Sequence, residues 1–195
     1  AKRTIGFPVL KLGDLGTLAL VPLGMIAFLF GADTLIERRP FAPRTFWALF
    51  DVPVHAILAL LVVFPLVDTQ APTEKTAILI FAVLLTGTLL DVDHFVAAKS
   101  LKINDVLSLP IRPTTHSLAF SGAVGILVVL VSRNPILSWI VFAALVSHVL
   151  RDAGGGKTPI LWPLPVTAIP LWTYYLGVIL LLSISYLLSL PGWMA

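Results

Sequence analysis

The chain contains four histidines, His55, His94, His116 and His148, each inside or at the edge of a long apolar run. Three of them have an aspartate at helical spacing. Asp51 and His55 are four residues apart, as are His148 and Asp152, while Asp91 and His94 are three apart, so on a helix each pair shares a face. His116 opens a further apolar run within Thr114-Thr115-His116-Ser117. Ionisable groups inside apolar segments are expensive and mark functional sites. Imidazole nitrogens and carboxylate oxygens in this number suit zinc, manganese or iron better than magnesium. They exceed the needs of one tetrahedral ion, which points to one or two divalent ions with a hydrogen-bonded surround and a general base.

The elements that must position these groups are membrane helices. The 195 residues are 58% apolar and 12% charged, with a mean hydropathy of +1.00, against about 25% charged in a soluble domain. Six apolar runs, at about 15–31, 46–67, 76–98, 116–131, 136–150 and 166–188, approach the about 20 residues that cross a hydrocarbon core. The expected fold class is an all-α polytopic membrane helix bundle of about six transmembrane helices. Pro22, Pro53, Gly87 and Gly125 are tolerable there because neighbouring helices satisfy freed backbone groups. The first run is not read as a removed signal peptide, since five more runs follow it. Between the third and fourth runs, Leu101, Ile103, Val106 and Leu107 alternate with Lys102, Asn104 and Asp105, the pattern of a short interfacial helix.

Depth ties the polar groups together. Asp51 and His55 lie in the half of the second run that follows the first connection. Asp91 to His94 adjoin the third connection, His116 leaves it, and Asp152 adjoins the fifth. All four groups therefore sit toward one leaflet. Asp93 falls off the helical face shared by Asp91 and His94, in the place of a supporting or second-metal residue or a base.

Several function classes are excluded or set aside. The absence of cysteine removes disulfides, thiolate metal sites and cysteine nucleophiles. The net charge of +3 comes from basic residues scattered through short loops, so no nucleic-acid partner is expected. Gly154-Gly155-Gly156-Lys157-Thr158 imitates a phosphate loop, but Arg151 stands where that motif needs its first glycine, and a membrane helix precedes it where a strand is required. The odd connections carry Arg38, Arg39, Arg44, Lys99, Lys102, Arg112, Arg151 and Lys157, and the other face carries Lys2, Arg3, Lys11, Lys75 and Arg133. The positive-inside bias then puts the site toward the cytoplasmic face.

Taken in order, Asp51-Val-Pro-Val-His55, Asp91-Val-Asp93-His94, Arg112-Pro-Thr-Thr115-His116-Ser117, Ser147-His148-Val-Leu-Arg151-Asp152 and Leu161-Trp162-Pro163 resemble the motifs of the inner-membrane metal-dependent hydrolases of bacteria and archaea, the YdjM-like proteins. The resemblance covers about 51–188. It implies a hydrolase-like membrane domain at 45–195, with 1–44 as an N-terminal extension carrying the first helix. Where the family pattern reads His-Arg-Gly, this chain has Ile111-Arg112-Pro113, so one histidine is missing.

The resemblance implies hydrolysis in the inner, or plasma, membrane. Site depth, with Arg112 and Lys157 nearby, suggests a phosphoester or related bond of a lipid-borne substrate. In that reading His55, Asp91, His94, His116, His148 and Asp152 are metal ligands for zinc or manganese, Asp51 or Asp93 is the base or supports the ligands, and Arg112 and Lys157 face the substrate phosphate. The alternative is a catalytically reduced, metal-binding subunit of a larger membrane assembly that docks through the first helix. A transporter is a third reading, without an inverted repeat to support it.

Overall fold

The computed structural model describes residues 12–38, 43–67, 74–166 and 168–190, and its regular elements there are helices. They are α1 (Leu12–Arg38), α2 (Arg44–Val63), α3 (Glu74–Leu89), α4 (Val92–Ala98), α5 (Ile103–Leu107), α6 (Leu118–Ser132), α7 (Pro135–Gly155) and α8 (Leu171–Ser189). Lys2, Arg3, Lys11 and Arg39, used above for orientation, lie outside the described residues.

The apolar runs become helices in the expected order, with different lengths. Thr45–Leu66, Leu79–Ala98, Pro135–Gly155 and Leu171–Ser189 are long and apolar enough to cross a membrane, and Pro22–Ile36 and Leu118–Ser132 are shorter apolar helices. The 15 residues of α6 span about 22 Å, short of a full hydrocarbon core of about 30 Å. Its start is set by Ser117, whose hydroxyl accepts from the Phe120 N–H at 3.2 Å. The last run begins later than expected, at Leu171, with Pro163, Pro165 and Pro170 before it.

The third run is also not one uninterrupted helix. α3 stops at Leu89 and α4 restarts at Val92, with Asp91 at the junction, its N–H donating to Thr88 O at 3.2 Å. This break lets the Asp91, Asp93 and His94 side chains turn toward a neighbouring connection.

α2 and α7 form the centre of the bundle. α7 packs against α2, α3, α6 and α8, while α1 lies on α2 and α8. From residue 143 to residue 153 α7 is buried on every face by its neighbours, and Ser147, His148, Arg151 and Asp152 are buried with it. Leu29, Leu58, Val62, Val83, Val149 and Val178 join five helices in one core. Polar groups also link helices: Trp139 Nε1 donates to Ser185 Oγ at 2.9 Å and Ser138 Oγ to Gly125 O at 2.7 Å.

Gly87 sets the approach of α3 to α2. A Cβ there would lie 3.0 Å from Ala59 Cβ and 3.3 Å from both Ala56 Cα and His55 O. Two of these three neighbours are backbone atoms that cannot swing away. Gly87→Ala is therefore expected to cost about 1–3 kcal/mol, read as a lower unfolding temperature in detergent. A wild-type unfolding temperature would show that α3 can retreat freely.

Candidate metal centre

Three helices, α2, α4 and α7, and one connection bring all four histidines together. The rings of His55 and His148 stack at a centroid separation of 3.8 Å. His116 stands edge-on to both His148, at 5.2 Å, and His94, at 4.6 Å. His116 arrives from the connection between α5 and α6. That connection is held against the one after α7 by the Leu118 N–H, which donates to Ile160 O at 2.9 Å.

Asp152 lies at the centre, 2% exposed. Its Oδ2 is 3.2 Å from His116 Nε2 and 3.5 Å from His148 Nε2, and its Oδ1 is 3.3 Å from His55 Nε2. Asp91 Oδ1 approaches from the other side, 3.4 Å from His148 Nε2 and 3.9 Å from His116 Nε2. Asp91, His116, His148 and Asp152 thus place one donor atom each within 4.8 Å of one another. Asp51, His55 and Asp152 form a second such group, and Asp93, His94 and His116 a third. The first two share Asp152, and the first and third share His116.

These donors have the properties of a cation-binding set. His116 Nδ1 and Nε2, His148 Nε2 and both Asp152 oxygens are buried without a well-aligned hydrogen bond, although buried polar atoms are normally paired. His148 Nδ1 lies 2.9 Å from Gly87 O. Donation to that carbonyl fixes the tautomer that leaves the Nε2 lone pair directed at Asp91 and Asp152, the usual arrangement behind a metal-binding imidazole. The residues present therefore fit a divalent ion.

Asp93 does not point away from the group as the helical spacing suggests. Its Oδ1 lies 2.9 Å from His94 Nδ1 and its Oδ2 3.3 Å from His116 Nδ1, and the Thr115 hydroxyl donates to Oδ2. The reason is the break before α4, which puts Asp93 in the first turn of a short helix facing the His116 connection.

Arg112 is 2.8 Å from Asp152 Oδ2 through Nη1, so its charge is already directed at a carboxylate of the centre. Lys157 is exposed, and its carbonyl accepts from the Arg112 N–H at 3.5 Å. Both line a cavity of about 340 Å³ together with Asp51, Asp91 and His94. The rest of its wall is largely apolar and includes Val52, Phe95, Ile103 and Val106. On α5, Ile103 and Val106 face this space while Asn104 and Asp105 are exposed, which gives that helix its two faces.

Sequence reasoning missed Asp33, Tyr174 and Tyr175. Asp33 pairs with Arg151, which also pairs with Asp51. Tyr174 and Tyr175 complete this cluster from α8. The position of Asp33, at the end of the first apolar run beside the first connection, is the depth signal that could have found it. Arg151 is buried on a face of α7 different from that of His148 and Asp152, in agreement with its spacing.

The profile of the YdjM inner membrane protein family matches residues 51–194. The chain is similar to transmembrane protein 267 of Danio rerio, with 31% identity across 85% of this chain and 76% of the relative. It is also similar to transmembrane protein 267 of Bos taurus, with 28% identity across 80% of this chain and 75% of the relative. No solved structure matches it.

Proposed function

Because the chain belongs to the YdjM inner membrane protein family, we propose that this multi-pass membrane protein is a metal-dependent hydrolase acting on a phosphoester or related bond of a lipid-borne substrate. The observation that carries the reading is the convergence on Asp152 of buried imidazole and carboxylate atoms that lack a well-aligned hydrogen bond, beside a cavity with a polar and an apolar lining. Asp91, His116, His148 and Asp152 hold the ion. His55 and His94 extend the set toward a second ion through the shared Asp152 and His116. Zinc or manganese suits these nitrogen and oxygen donors. When bound, such an ion supplies Lewis acidity, acidifying water and polarising a phosphoryl oxygen.

The chain's own residues supply the rest. Val52, Phe95, Ile103 and Val106 receive the apolar part of the substrate, and Lys157 attracts its anionic head. Arg112 reaches the same head only by loosening its hold on Asp152. Hydrolysis forms an oxygen–phosphorus bond from water and breaks the bond from phosphorus to the ester oxygen, and the proton from water passes by way of a carboxylate to that oxygen, which departs as the alcohol. Asp51 serves as that acceptor through Oδ2, since the residue lines the cavity and its Oδ1 is held by Arg151. The basic residues of the odd connections support an orientation with this face toward the cytoplasm.

Purified protein offered phospholipids and prenyl phosphates with zinc or manganese is expected to release phosphate or a phosphorylated head group. His148→Ala with Asp91→Asn is expected to abolish that release. Turnover that survives the double substitution would exclude this centre.

A second reading is favoured by Ile111, which lines the cavity where the related motif has histidine. In it the protein is a metal-binding subunit of a larger membrane assembly and docks through α1. Stoichiometric metal without turnover on any of these substrates supports that reading. Metal below about 0.1 per chain sinks both, because ligand sets of this kind bind their ions stoichiometrically.

A further inference from the structure

α1 lies outside the residues of the family match, yet it sends a carboxylate into the surroundings of the centre. Asp33 Oδ1 is 2.5 Å from Arg151 Nη1, and its Oδ2 accepts from the Tyr175 hydroxyl at 3.0 Å. Arg151, 6% exposed, reaches in the other direction to Asp51 Oδ1 through Nη2 at 2.6 Å and Nε at 3.0 Å. Asp51 Oδ2 is 3.5 Å from His55 Nε2, which is 3.3 Å from Asp152 Oδ1. A chain of charged contacts therefore runs from the first helix to the centre of the donor set.

We propose that Asp33 is a positioning residue for the metal centre, acting through Arg151 on the Asp51 carboxylate; this rests on the metal-binding reading above. Two effects follow from the geometry. Arg151 grips only Oδ1 of Asp51, so the carboxylate plane is set with Oδ2 toward His55. The second effect is charge. A single guanidinium facing Asp51 alone would neutralise it, whereas one shared between two carboxylates leaves a net negative charge. Asp51 Oδ2 can then direct that charge toward His55, whose burial, at 2% exposed, makes it count. Asp51 lies in the donor group with His55 and Asp152, and losing an outer partner that holds a ligating carboxylate costs about 10–100-fold in metal affinity.

The test uses the full chain in detergent, zinc affinity by chelator competition, and the visible absorption of the cobalt(II)-loaded protein. Asp33→Asn is expected to weaken zinc binding about 10-fold and to shift the cobalt spectrum. Asp33→Glu is expected to restore most of both. In an Asp51→Asn background, Asp33→Asn is expected to add little, because the two residues act in series. Should Asp33→Asn fail to fold, Tyr175→Phe, which removes only the hydroxyl on Asp33, takes its place with a smaller loss of the same kind. Wild-type protein that binds zinc while the folded variant keeps its affinity and spectrum overturns this proposal alone. An undiminished loss in the Asp51→Asn background does the same. Wild-type protein that binds neither zinc nor manganese overturns the metal reading itself, and this proposal with it.

Discussion

Asp152→Asn is expected to lower divalent-metal affinity by more than about 100-fold, beyond the usual cost of losing a residue that merely supports a ligand. Asp152 approaches His55, His116 and His148, and it also pairs with Arg112. Asparagine keeps the volume and removes the charge. The three imidazoles then lose their common anionic partner, and Arg112 faces a neutral amide. Metal content after dialysis and zinc competition measure the loss directly. Because Asp152 belongs to two of the three donor groups, its replacement should cost more than that of His94, which belongs to one. Equal losses for Asp152→Asn and His94→Ala would contradict the central place given to Asp152.

Arg151→Met is expected to destabilise the fold by about 3 kcal/mol, the lower end for breaking a buried ion pair. Arg151 is 6% exposed, but Asp33 and Asp51 keep side-chain exposures of 19% and 28%, so water relieves part of the cost of leaving them unpaired. The Tyr174 hydroxyl, 3.4 Å from Nη1, loses a partner as well. Adding Asp33→Asn and Asp51→Asn to Arg151→Met should recover much of the stability, since neutral groups in this space cost less than two unpaired carboxylates. Unfolding temperature in a fixed detergent reads both effects. If Arg151→Met alone unfolds at the wild-type temperature, the guanidinium is not holding α1, α2 and α7 together.

The two substitutions separate chemistry from framework. Asp152 and Arg151 are adjacent on α7 and both are buried, yet they face opposite ways: Asp152 toward the histidines, Arg151 toward Asp33, Asp51 and Tyr174. Loss of metal with little loss of stability is expected for the first, and loss of stability with a smaller loss of metal affinity for the second. Asp51 joins the two clusters, with one oxygen in each.

Much of the helical architecture was legible because membrane helices announce themselves by apolar length, and the order of the runs survives in the bundle. Their ends were less legible. Ser117 capping and the prolines before Leu171 are local features, while the break at Asp91 depends on how α3 and α4 pack. The pairs Asp51/His55 and His148/Asp152 were readable from helical spacing, and their depth predicted the meeting of His55 with His148. The part played by Asp93 was not readable. Helical periodicity assumes an unbroken helix, and the chain turns two residues before Asp93.

By itself, the sequence determined that this chain is a bundle of apolar helices and that its histidines and aspartates lie toward one end of their runs, because composition and spacing act within a single run. Only the tertiary structure decided how those groups are shared among donor sets. It also decided that Arg112 pairs with Asp152 and that Asp33, 118 residues from Arg151, is its ion partner. The physical reason is that an ion pair is fixed by the distance between two side chains in space, and that distance is set by helix packing. Spacing along one helix cannot specify it.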